Sequence, residues 1–83
     1  MRIEMHRRDT NAFVTAEVMA EFDLTYERVT RTVAVEVPTR MAEEFADWLI
    51  DTGSDAARAG KPTAAKRMVG YGDQIRYALG LPT

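Results

Sequence analysis

The sequence predicts an α+β fold: a three-stranded antiparallel β-meander followed by two or three α-helices packed on one face of the sheet, in the order β-β-β-α-α. Three observations lead there. The first 37 residues contain neither glycine nor proline and alternate apolar with polar side chains. After Pro38 the apolar spacing changes to three and four. All five glycines lie at position 53 or beyond, where they punctuate helices. A chain of 83 residues has room for one domain, divided here into a sheet portion, 1–38, and a helical portion, 39–83. A chain this small buries only about 60% of its unfolded surface, so help from a second copy is expected.

In the first strand, Ile3 and Met5 alternate with Arg2, Glu4 and His6, and Asp9, Thr10 and Asn11 supply turn chemistry. From Ala12 to Tyr26 every even position is apolar or aromatic, which reads as a long half-buried strand over 12–26. A helix over the same residues remains open, because Ala12, Ala16 and Ala20 recur at a spacing of four behind Thr10 or Asn11 as a cap. Valine, threonine and aromatic content favours the strand. Residues 25–28 lack the Asn-Gly or Asp-Gly of a tight hairpin, so a longer loop or a bulge is expected there. Over 32–37, Val33, Val35 and Val37 share one face of a third strand, which stops at Pro38.

Thr39 opens the first helix as its N-cap, and Met41, Phe45, Trp48 and Leu49 form its buried stripe. Gly53 is placed to end it. Ser54 caps a short helical turn over 56–59, broken by Gly60, Lys61 and Pro62. Residues 63–79 then form the last helix, with Met68, Tyr71, Ile75 and Leu79 in line. Gly70 and Gly72 each cost about 1 kcal/mol inside a helix, so a split there, with Asp73 capping a final short segment, is the competing arrangement.

The inventory of reactive groups is short: one histidine, one serine and no cysteine. A serine or thiol nucleophile needs a base held by a third group, and a zinc site needs three or four nitrogen, sulfur or carboxylate ligands. The expectation is a protein that is not an enzyme and carries no cofactor and no metal. No run approaches the roughly 18 apolar residues of a membrane span, and the N-terminus has no apolar export segment. That favours a cytoplasmic protein with no membrane partner. His6 falls on the charged face of the first strand, the position of a solvated side chain.

Charge is sorted by position. Residues 1–55 hold six basic and twelve acidic groups, whereas 56–83 hold five basic and one acidic. Helices of opposite sign neutralise one another when they pack side by side, and any excess becomes a surface for partners. Phe13 and Met19 stand on the outward face of the long strand beside Thr15, Glu17 and Glu21. With Glu43, Asp47 and Asp51 on the first helix, these residues form the candidate protein-binding surface. The function expected is a small binding module acting through a protein–protein interface: an accessory or inhibitory protein with an acidic surface, and a homodimer. The alternative places anion or nucleic-acid contact on Arg58, Lys61, Lys66, Arg67 and Arg76. In that case the order of residues 31–79, a strand, a proline and two helices, resembles the ribbon-helix-helix repressors, which implies a small DNA-binding regulator. Glu36 on the strand's outer face and the acidic first helix count against it.

Overall fold

The computed structural model describes residues 1–82, and the fold is α+β. In chain order the elements are β1 (Arg2–His6), α1 (Arg7–Phe13), α2 (Ala16–Glu21), β2 (Thr25–Arg28), β3 (Thr32–Glu36), α3 (Thr39–Arg58) and α4 (Pro62–Ala78). They form two compact units, Met1–Ala42 and Glu43–Thr83.

In the first unit the expected three antiparallel strands are present, in the spatial order β1-β3-β2. This corrects the meander, because β1 and β2 are not neighbours and two helices separate them in sequence. The central strand is β3, pairing Met5 with Val33 on one side and Arg28 with Val33 on the other. Val37 donates its N–H to the Met1 carbonyl at 2.8 Å, and Val29 donates to Thr32 at 3.1 Å. These two bonds set the phase of the ladders: the odd residues of β3 bond to β1 and the even ones to β2. Ile3, Met5, Val33 and Val35 share one face and are buried, whereas Arg2, Glu4, Glu27 and Glu36 on the other face are exposed. Each such apolar side chain contributes about 1.5–3 kcal/mol by leaving water.

Of the long strand expected over 12–26 only the last two residues, Thr25 and Tyr26, are extended, at the start of β2. The alanines and glutamates before them follow helical preference instead, and each helix has its own cap. The His6 imidazole Nδ1 accepts from the Arg8 N–H at 3.2 Å, and the Thr15 hydroxyl accepts from the Val18 N–H at 3.3 Å. The supposed turn at 9–11 is therefore part of α1, with Asp9 buried. His6 is half-buried and caps a helix, which departs from the solvated side chain expected. Three residues, Val29, Thr30 and Arg31, link β2 to β3, and the Val29 N–H donates to the Thr32 carbonyl, so the hairpin is short without Asn-Gly.

In the second unit, the main part of α3 pairs with α4 as an antiparallel helical hairpin. Gly53 does not end α3, which runs on to Arg58. A Cβ at Gly53 would lie 2.9 Å from the Ala65 carbonyl oxygen, and one at Gly72 would lie 2.8 Å from that of Ala46. The helix axes approach at these two glycines, and close packing outweighs their poor propensity. The same reason keeps α4 continuous through Gly70 and Gly72, so Asp73 caps nothing. Gly60 and Gly80, at φ +79° and +75°, terminate the two helices. Phe45 stacks on Trp48 with ring centroids 5.9 Å apart, and Leu49, Met68, Tyr71 and Ile75 are buried in the same unit.

Candidate functional site

The first unit carries a concavity of about 270 Å³ between its short helices and the β2–β3 hairpin. Val14, Met19, Leu24, Val33 and Val35 give it an apolar floor, and Thr10, Asn11, Tyr26 and Arg28 supply polar groups. The register explains the grouping. Tyr26 lies opposite Val35 and Arg28 opposite Val33, so these side chains share the apolar face of the sheet. The volume sits just under the usual 300–1,000 Å³ range of ligand pockets and suits one large side chain.

Beside this concavity β2 is an open edge, all four residues of which are exposed. The Val29 to Thr32 bond fixes which backbone groups are used. Thr25 and Glu27 direct their N–H and C=O toward β3, while those of Tyr26 and Arg28 point away from the sheet. Tyr26 and Val29 are about half exposed, at 49% and 50%, and lie three positions apart along this edge. Among the described residues no carboxylate pairs with Arg28. An uncommitted strand edge, an apolar hollow and an unpaired cation therefore lie side by side.

The structure redistributes the residues singled out from sequence. Phe13, Thr15, Glu17, Met19 and Glu21 lie on α1, on α2 and at their junction, which corrects their placement on an outward sheet face. Period-two spacing had assigned them to a strand, but the chain there turns every 3.6 residues. Phe13 and Met19 are half-buried instead of open to water, and only Met19 of this group lines the concavity. Glu43, Asp47 and Asp51 are exposed on α3, and Asp47 accepts from Arg76 Nη1 at 3.0 Å. Of the basic set, Arg58 bonds Asp55 at 2.5 Å, and Arg76 also donates to the Pro82 carbonyl at 3.0 Å. Lys61 takes the N-cap position of α4, Lys66 is exposed and Arg67 is half-buried. Two members of this set, Arg58 and Arg76, are thus held by carboxylates. The strand, proline and two helices that resemble a ribbon-helix-helix repressor are present as β3, Pro38, α3 and α4, but β3 is the central strand of the sheet, paired on both sides within the chain.

Sequence reasoning missed Tyr26, Arg28 and the arginines near them. A hairpin turn assigned to Val29, Thr30 and Arg31 would have brought Tyr26 and Arg28 onto the face of Val33 and Val35. Among the described residues no three histidine, aspartate or glutamate side chains gather to hold a metal ion, and no helix is long and apolar enough to cross a membrane. Comparison with family models, curated proteins and solved structures gives no match.

Proposed function

We propose that this chain is a non-enzymatic protein-binding module that takes an extended segment of its partner along β2. The observation that carries the reading is the open edge of β2 beside an apolar hollow with an unpaired arginine on its rim. A strand added to such an edge gains main-chain hydrogen bonds from Tyr26 and Arg28, while a pocket on one face selects alternate side chains. The matching segment carries a large apolar residue for the hollow and, two residues away on the same face, an aspartate or glutamate for Arg28. This reading moves the interface away from the acidic face of α3, where Asp47 and Asp55 already have cationic neighbours.

Display of a random peptide library against the purified chain tests it. Selected peptides are expected to share an apolar residue and an acidic residue at a spacing of two. Arg28→Glu and Ala16→Trp, the latter filling the hollow from α2, are each expected to weaken binding about tenfold or more. Unchanged binding by both variants, or selection of basic helical peptides that map to Glu43 and Asp51, refutes the reading. Light scattering separates a foreign segment from a second copy: concentration-dependent dimerisation that Arg28→Pro abolishes assigns the edge to self-pairing.

A further inference from the structure

A second concavity, open and about 490 Å³ in volume, lies at the hairpin end of the same sheet. It is lined by His6, Arg7, Arg8, Asn11, Thr30 and Arg31, with no acidic residue among them. The sequence hides this cluster, since Arg31 stands more than twenty positions from Arg7. Strand pairing creates it: His6 lies opposite Thr32, and the Arg7 N–H donates to the Arg31 carbonyl at 3.1 Å. The adjacent backbone is tied down too, with the Arg8 N–H on His6 Nδ1 and the Thr10 hydroxyl donating to the Arg7 carbonyl at 2.9 Å. Among the described residues no carboxylate pairs with Arg7, Arg8 or Arg31. In a chain of net charge −2, three uncompensated guanidinium groups are thus gathered on one concave surface.

We infer that this concavity binds a phosphate group. Like charges brought together repel, and an anion removes that repulsion while the concave shape concentrates the field on it. Three planar guanidinium forks, a hydroxyl and an amide offer more donors than one carboxylate accepts. A phosphate group offers up to two negative charges and three strong acceptor oxygens, which matches the set. The phosphate belongs either to a free nucleotide or polyphosphate, or to a nucleic-acid backbone. The inference is independent of the peptide reading, although Asn11 lines both concavities.

The test is an NMR titration of the intact ¹⁵N-labelled chain at low salt with pyrophosphate, ATP, a single-stranded oligonucleotide, and citrate as a non-phosphate polyanion. Saturable shifts are expected at the amides of Arg7, Arg8, Asn11, Thr30 and Arg31 with the phosphate probes. Arg7→Gln and Arg31→Gln should each weaken binding about tenfold, and Lys66→Gln should leave it unchanged. If the oligonucleotide binds more tightly than ATP, with a salt dependence that each arginine variant reduces by about 0.7, the source is a nucleic-acid backbone. If ATP or pyrophosphate binds as tightly as the oligonucleotide, the source is a free phosphate compound. No saturation by about 10 mM of any phosphate probe, equal affinity for citrate, or shifts centred on α4 would overturn the assignment.

Discussion

Asp23 has a backbone conformation that few side chains tolerate. Its φ of 54° is the only positive value among the described non-glycine residues, and it follows α2 where Gly60 and Gly80 follow α3 and α4. The hydrogen bonds are the same at all three ends. Leu24 donates to Met19, Lys61 to Ala56 and Leu81 to Arg76, each bond closing the last turn across a left-handed residue. Aspartate is better tolerated there than most residues because its short polar side chain can bond nearby backbone, a recourse alanine lacks. The Arg40 guanidinium also reaches Asp23 at 2.7 Å, but both side chains are about two-thirds exposed, at 66% and 67%, so that pair contributes under about 1 kcal/mol. Asp23→Ala is expected to destabilise the chain by about 1 kcal/mol, and Asp23→Gly to leave stability unchanged or slightly raised. Urea denaturation of the two variants checks this; alanine equal to or better than glycine would contradict it.

At the scale of elements, two glycines let α3 and α4 approach and a third does not. A Cβ at Gly72 would stand 2.6 Å from Ile50 Cγ1 and 2.8 Å from a backbone oxygen, which cannot move aside, whereas a Cβ at Gly70 meets nothing within 4 Å. Gly72→Ala is therefore expected to cost about 2 kcal/mol through overpacking, and Gly70→Ala to gain about 0.5–1 kcal/mol from helix propensity. Thermal melts of both variants decide it, and a neutral Gly72→Ala would mean that the helices do not pack through this glycine. These glycines also show how far the sequence could be read. The helical stripe of Met68, Tyr71 and Ile75 was legible because its period is unambiguous, as were the valines of β3. Gly53 was misread as a stop, since a glycine that ends a helix and one that admits a neighbouring helix look alike in sequence. Ala12, Ala16 and Ala20 fit a period of two and a period of four equally, so the strand chosen there displaced Met19 from its place in the hollow. Arg7, Arg8 and Arg31 could be grouped only once the register of β1 on β3 was known.

On the scale of the whole molecule, the charge contrast drawn at residue 55 dissolves, because that position lies inside α3. Divided where the structure divides it, the chain has six basic and seven acidic groups in Met1–Ala42 and five and six in Glu43–Thr83, a net −1 for each. Sorting persists only locally, in the α3–α4 hairpin, where Arg76 bonds Asp47, and in the arginines at the hairpin end of the sheet. The helix α3 crosses the boundary between the two units at Ala42, so their folding is expected to be coupled. A cut there exposes helix carbonyls on one side and N–H groups on the other, which water and fraying must satisfy. Each piece would have about 40 residues, the size below which a core without disulfides or metal rarely holds a fold. Separate fragments 1–42 and 43–83 are therefore expected to show no cooperative melt. The intact chain should unfold in one transition of about 4–12 kcal/mol, with the same midpoint by far-ultraviolet circular dichroism and by Trp48 fluorescence. A fragment that melts cooperatively, or a Trp48 transition displaced from the loss of sheet signal, would show that the units fold independently.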